Sequence, residues 1–499
     1  MKNFLNKLHI PIWLFFILIF VLILRVPSFF EPYSYGDETI YLTLGEAVRQ
    51  GVPLYSGVHD NKPPLLYLIA AAAGNLFWFK AILAVWNLVT IFLFWKLASE
   101  LFPKNKKLEK VSTFIFAIMT TIPLLEGNIA NAEIFMIAFT IWAFLIIFKK
   151  DPNFKNIFVS GILFSMAALF KIPAAFELPT IIFLWIIALK SLRFRDIIRI
   201  SQKALYLILG FITPIAISFI WYYFQGALSE YITAAYLQNV GYLSSFRPGD
   251  VVKPFFVRNA PLLIRFAVLS AGLIILYWKR NKLSHQFIFI TTWLLFTLFA
   301  VTLSERPYPH YLIQSVAPVS LLLGILFSRK NIEQVYVILP LTLTFFVPFY
   351  YHFWHYKTLP YYERFIKLST GNISKEDYLS SFGGEVVRNY AISKTIVSLT
   401  KPQDRVFVWG DSSSIYALSR RLPPGKYVAG YHIKDFSSDE ETLSILTASM
   451  PSLIIMLPEA SFMSGLQTFL NKNYGLIDTI NNAQIWKSLG PKLRGLESF

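Results

Sequence analysis

The chain contains no cysteine, so disulfides, thiolate metal sites and cysteine nucleophiles are excluded from any account of it. Charge is also scarce: charged residues make up 15% of the 499 positions, against about 25% in an ordinary soluble protein. No Gly-x-Gly-x-x-Gly phosphate loop occurs, and no internal repeat of fixed period.

Apolar sequence takes the place of charge. Hydrophobic residues reach 55% and the mean hydropathy is +0.52, which excludes a soluble enzyme and a disordered chain. The class is a polytopic α-helical membrane protein. The net charge of +17 would suit nucleic-acid binding if it formed a patch. Much of it instead lies in short loops between apolar runs, where membrane orientation places it, so nucleic acid is not an expected partner.

The run Ile10–Leu24 follows Lys2 and Lys7 and is not followed by a small-x-small cleavage site. It reads as a first membrane helix that starts in the cytoplasm. The next run, about Phe79–Phe102, ends at Lys104, Lys106, Lys107 and Lys110. Four pairs of runs follow: Val111–Leu125 with Glu133–Phe148, Ile157–Phe170 with Leu178–Leu189, Leu205–Phe224 with Leu262–Tyr277, and Phe287–Leu303 with Tyr311–Phe327. They end respectively at Lys149, Lys150 and Lys155; at Lys190, Arg193, Arg195, Arg199 and Lys203; at Lys279, Arg280 and Lys282; and at Arg329 and Lys330. A last run, Val335 to about Phe353, leads out. Every second loop is basic, which requires an odd number of spans, about eleven. Leu65–Ala73 is too short to be one of them and follows Pro63 and Pro64, so it reads as a helix at the outer interface.

This parity puts Arg25–Trp78, Glu126–Ala132, Gln225–Arg258, Ser304–His310 and the C-terminal region outside. The expected division is a transmembrane domain, 1–356, whose outer loop 26–78 carries the active site, and an extracytoplasmic domain, 357–499. The second domain should be a small α/β unit. Candidate strands are Arg405–Trp409, Lys426–Val428, Ser452–Leu457, Gly475–Ile480 and Ala483–Trp486. Helical patterns lie between them at Glu385–Leu399, Ser413–Arg421, Asp439–Ala448 and Ser461–Asn471. Asn372-Ile373-Ser374 fits a glycosylation triplet, and Val408-Trp409-Gly410-Asp411 could bind an anion where a strand opens into a helix.

The first outer loop is the most informative stretch. It holds Tyr33, Tyr35, Gly36, Asp37, Glu38 and Tyr41, then His59, Asp60, Asn61, Lys62, Pro63 and Pro64. An acidic pair at membrane level is costly and points to function. It would equally suit the first turn of a helix running from Glu38 to Arg49.

The acidic pair, about twenty residues, then Lys62-Pro63-Pro64-Leu65 with Tyr67 resembles the GT-C glycosyltransferases. The likeness is to the protein O-mannosyltransferase and aminoarabinose-transferase branch, and covers roughly residues 10–355. Glu133 in Asn131-Ala132-Glu133-Ile134-Phe135 matches the acidic residue at the start of the family's fourth membrane helix. The Arg five residues earlier in the family is Asn128 here. Lys171, and Arg306-Pro307-Tyr308-Pro309-His310-Tyr311 ahead of a late helix, also match.

The resemblance implies a GT-C-like fold and transfer of a sugar from a polyprenyl monophosphate. The acceptor would be a hydroxyl of a protein, lipid or glycan at the outer face of the cell membrane. A carboxylate would take the acceptor's proton: Asp37, with Glu38 or Glu133 orienting the acceptor or stabilising charge at the anomeric carbon. Lys62, Arg306, His310 and Lys171 would hold the donor phosphate. Tyr35, Tyr41, His59 and Tyr311 are candidate substrate contacts. A single displacement would invert the anomeric carbon. No cofactor is expected; a divalent metal between Asp37, Glu133 and the phosphate is the less favoured arrangement. The alternatives are a transporter or lipid-linked-sugar flippase, and a lipid sensor acting through its C-terminal domain. One-sided clustering of charged residues and the absence of an inverted repeat argue against transport.

Overall fold

Polar side chains set several helix starts in an otherwise apolar chain. Asn75, Asn105, Asn153 and Ser284 each accept a backbone N–H three residues on, closing the first turns of Leu76–Leu101, Lys106–Met119, Phe154–Ala168 and His285–Thr302. These helices belong to a computed structural model that describes residues 10–149, 152–189, 193–241, 253–328 and 331–489. Lys2, Lys7, Lys150, Lys190, Arg329 and Lys330 of the basic-loop argument lie outside the described residues.

Among the described residues eight helices are long and apolar enough to cross a membrane: Ile12–Phe30, Leu76–Leu101, Ala132–Lys149, Phe194–Phe224, Phe255–Lys279, His285–Thr302, Pro309–Ser328 and Glu333–Tyr350. Phe154–Ala168 and Ile172–Ile187 are apolar but shorter. Lys106–Met119 continues through a 3₁₀ turn at Pro123–Leu125. Each of the eleven apolar runs is thus helical. The outward faces of Phe194–Phe224 and Phe255–Lys279 carry large apolar side chains such as Phe224 and Phe256, as a lipid-facing surface requires. The chain is an integral membrane protein.

Two short helices shape the loop between Ile12–Phe30 and Leu76–Leu101. Gly36–Arg49 begins with Asp37 and Glu38 in its first turn, where carboxylates favour the positive end of the helix dipole. Leu65–Ala73 packs across it at Gly45, where a Cβ would fall 2.6 Å from the Ala71 backbone nitrogen. Only glycine permits that approach, which brings Asp37 and the loop bearing Lys62 to the same place.

The C-terminal region holds a four-stranded sheet of β1 (Val406–Trp409), β2 (Leu453–Met456), β3 (Tyr474–Ile480) and β4 (Ala483–Ser488), in the order β1-β2-β4-β3. β1 and β2 are parallel, with Val408 opposite Ile455; the other pairs are antiparallel. Four of the five expected strands are present. Lys426–Val428 is not a strand: Lys426 gives its carbonyl to the His59 N–H at 2.8 Å, across to the first outer loop. The expected helix Ser461–Asn471 forms only over Leu466–Asn473, because Gly465 at φ +76° starts it. Helices at Thr358–Ser369, Lys375–Ser380 and Gly430–Phe436 were not anticipated. Ser374 of the glycosylation triplet caps the second of these in a reciprocal pair with Asp377.

The C-terminal region contacts the loop that carries the short helices Gly36–Arg49 and Leu65–Ala73. Thr39 and Ser413 hydroxyls meet at 2.7 Å, Ser413 also donates to the Gly36 carbonyl, and Arg420 donates to the carbonyl of Gly74.

Candidate active site

A cavity of about 1000 Å³ lies where the first outer loop, the membrane helices and the C-terminal domain converge. One flank is apolar, with Leu262, Phe266, Phe299 and Leu303 from two membrane-helix segments. Charged and titratable side chains also line it: Asp37, Asp60, Lys62, Glu133, Lys171, Arg306 and His310.

Asp37 sits one residue into its helix and is partly exposed. It accepts a hydrogen bond from Tyr41 at 2.9 Å and lies 3.8 Å from the Lys62 ammonium. Lys62 is held there by its surroundings. Its nitrogen is also 3.8 Å from Asp60 and stands over the Tyr41 ring. Its carbonyl accepts from Tyr55, and its N–H donates to the Tyr67 hydroxyl. Tyr41 therefore supports Asp37 and Lys62 from behind and is not a wall of the cavity. Tyr35 does line it, and its hydroxyl donates to Glu126 at 2.8 Å.

The second charged group surrounds Glu133. Its carboxylate pairs with Lys171 and stands 3.8 Å from the His310 ring. His310 bonds through its other nitrogen to Glu126, which takes a left-handed backbone at φ +59°. Lys171 also stands over the Tyr311 ring. Arg306 completes the wall from an exposed position.

Two further expected site residues lie outside the cavity lining. Glu38 does not line the cavity: it is buried, paired with Lys80 at 2.8 Å, and accepts the Ala130 N–H at 2.7 Å. The helix turns consecutive side chains about 100° apart, so Asp37 and Glu38 cannot face the same space. His59 is buried under the C-terminal domain, between the rings of Tyr427 and Phe436. Burial lowers its pKa to about 4, so it is neutral, and it does not line the cavity. Asn128, at the family's Arg position, donates to Glu31 and faces that buried cluster.

The structure adds residues that the sequence argument missed. Asp60 lines the cavity. Its carboxylate accepts from Tyr67 and from the Asn61 N–H, each at 2.8 Å. Burial alone would raise its pKa, but Lys62, His432 and the Tyr67 hydroxyl together hold it below the usual value. Tyr431 and His432 reach the cavity from the C-terminal domain. Asp60's place between His59 and Lys62 was a usable signal; nothing near Tyr431 and His432 marked them. Among the described residues, no group of three or more His, Asp or Glu side chains is arranged to hold a metal ion.

No family model and no curated protein matches the sequence. Solved structures do match across nearly the whole chain. The crystal structure of ArnT from Cupriavidus metallidurans bound to undecaprenyl phosphate aligns with a TM-score of 0.58 and 10% identity, covering 97% of this chain and 99% of that one. The apo state of the same protein aligns with a TM-score of 0.54 and 11% identity over the same shares. At such identity the likeness speaks for the fold, and over this coverage it does so for the membrane helices and the C-terminal region together: the chain shares its overall fold with ArnT.

Proposed function

We propose that the protein is an inverting glycosyltransferase that moves a sugar from a polyprenyl monophosphate to an acceptor hydroxyl of a protein, lipid or glycan. The observation that carries this reading is the make-up of this cavity. A carboxylate, Asp37, faces it beside several cations, and an apolar flank adjoins them. A donor with a lipid tail, a phosphate and a sugar needs all three features. The ArnT structure bound to undecaprenyl phosphate supports a ligand of that class here.

In this reading the Asp37 carboxylate takes the acceptor's proton while the acceptor oxygen bonds to the anomeric carbon. The bond from that carbon to the phosphate oxygen breaks, and polyprenyl monophosphate leaves. Lys62, Lys171, His310 and Arg306 stabilise the charge that grows on it. Glu133 orients Lys171 and His310. Tyr35 and Tyr311 contact substrate. Glu38 and His59 support the loop from behind, and Tyr41 orients Asp37. Incubation of the purified protein with glycosyl polyprenyl phosphates tests the reading. It should release free polyprenyl phosphate and a product of inverted anomeric configuration; a retained configuration overturns the single displacement.

Lys62→Ala should raise the KM for donor roughly 10- to 100-fold, since a charge-assisted contact is worth about 1.5–3 kcal/mol. Lys62→Arg should restore part of it. An unchanged donor KM in well-folded Lys62→Ala protein removes Lys62 from the phosphate site.

Orientation follows from the basic loops: the N-terminus is cytoplasmic and the C-terminal domain lies outside the cell membrane. A reporter active only outside the cytoplasm, fused after Ser488, should be active. Activity there of a cytoplasm-only reporter would reverse the orientation.

A further inference from the structure

The cavity has a polar corner that the proposed displacement does not use. Asp60 is buried, with its two oxygens engaged by Tyr67 and the Asn61 N–H. Facing it is His432, 5% exposed, whose Nε2 stands 3.8 Å from Asp60 Oδ1. That separation is too long for a hydrogen bond. A hydroxyl oxygen could sit about 2.8 Å from both atoms, donating to the carboxylate and accepting from the ring. The Nδ1 of His432 is buried and has no hydrogen-bond partner among the described residues. The Tyr431 ring lies beside it at 4.3 Å between centroids and also lines the cavity.

The chain holds this corner firmly. The Tyr431 N–H donates to Asp411 at 2.7 Å. A Cβ on Gly430 would fall 3.0 Å from the Asp411 carboxylate and 3.1 Å from the Gly410 backbone, so the Gly430–Phe436 helix lies tight against the end of β1. On the opposite side, Tyr67 and the loop ahead of Pro63 fix Asp60. Burial lowers the His432 pKa, against the opposing pull of Asp60.

We propose that Asp60, His432 and Tyr431 form a saccharide subsite that spans the two domains. The carboxylate and imidazole share one sugar hydroxyl, and the Tyr431 ring packs on the apolar face of the sugar. Lys62 stands 3.8 Å from both Asp60 and Asp37, so a ring held here lies one side chain from the proposed base. The ring belongs either to the donor or to an acceptor glycan; both present the same hydroxyl chemistry. The inference rests on the glycosyltransferase reading, and the C-terminal domain becomes part of the substrate site.

The test uses full-length protein in detergent. His432→Ala, His432→Gln and Tyr431→Phe are assayed with a panel of hexosyl and pentosyl polyprenyl phosphates, with sugar-free undecaprenyl phosphate as competitor. His432→Ala should raise one KM roughly tenfold, the size of a single hydrogen bond to a neutral hydroxyl. A rise in donor KM assigns the donor's ring; a rise in acceptor KM assigns an acceptor glycan. His432→Gln should recover part of the loss. Inhibition by undecaprenyl phosphate should stay within about twofold, because the phosphate is held by other residues. In a thermal-shift arm, any glycosylated ligand should stabilise the wild type beyond the sugar-free lipid phosphate, and His432→Ala should erase that difference. Unchanged KM values in folded His432→Ala protein overturn the subsite, as does equal stabilisation of the wild type by sugar-bearing and sugar-free ligands. A wild type that transfers from no donor overturns the transferase reading, and the thermal-shift arm then decides the subsite separately.

Discussion

Asp37→Asn is expected to lower transfer by about 10²–10⁴-fold, the usual loss when a general base is removed. Asn keeps the shape of Asp and can hold the 2.9 Å contact with Tyr41, so the helix and the loop should be undisturbed. It cannot accept a proton. Donor binding should survive, because removing a negative charge 3.8 Å from Lys62 does not weaken that cation's hold on a phosphate. The kcat should therefore fall with little change in donor KM. Glu133→Gln should act differently: Glu133 pairs with Lys171 and stands near His310, so its loss should loosen the phosphate site and raise donor KM. Near-normal turnover in Asp37→Asn together with abolished turnover in Glu133→Gln would make Glu133 the base and Asp37 only a first-turn acid of its helix.

Lys80→Met should be the most destabilising change near the site. Lys80 is fully buried, 2.8 Å from both Glu31 and Glu38, and also donates to the Asn128 carbonyl. Tyr361, from the segment that leads into the C-terminal domain, donates to the same Glu31. Met fills the space but leaves two buried carboxylates facing each other without a cation. Breaking a buried pair in this way costs about 3–5 kcal/mol. The unfolding midpoint of the solubilised protein should drop by several degrees, and adding Glu38→Gln should recover part of it. An unchanged midpoint would mean that these carboxylates take up protons at little cost and that Lys80 does not hold the loop in place.

Lys80 also shows where sequence reading stops. It sits next to Phe79 in an apolar run, and an ionisable residue there is a signal in its own right. Without knowing that Glu31 and Glu38 converge on it, its purpose was hidden. The same contact explains why Glu38 looked catalytic. Adjacent acids on a helix point apart, and periodicity alone did not say which one faced the cavity. The helices were legible because apolar runs and basic loops report directly on the membrane. Four strands were legible because short β-branched and aromatic runs end at turn residues: Gly410, Pro458 and the Asn481-Asn482 pair between the last two. Lys426–Val428 has strand-like composition, but its backbone bonds to His59 across the domain boundary. Asp37, Lys62, Glu133, Lys171, Arg306 and His310 could be grouped from the sequence because they fall in or beside loops of the same parity between apolar runs, and they line one cavity. Tyr431 and His432 were not, because they come from a domain whose own sequence carries no catalytic pattern and gains meaning only by docking against Asp60.

The most direct test of the account is sugar transfer by the purified protein in vesicles loaded with a radiolabelled glycosyl polyprenyl phosphate. The label should leave the lipid and appear on an acceptor, with free polyprenyl phosphate released in equal amount, and Asp37→Asn protein should do neither. Label that stays on the lipid and crosses intact from one leaflet to the other would contradict the account and identify a flippase.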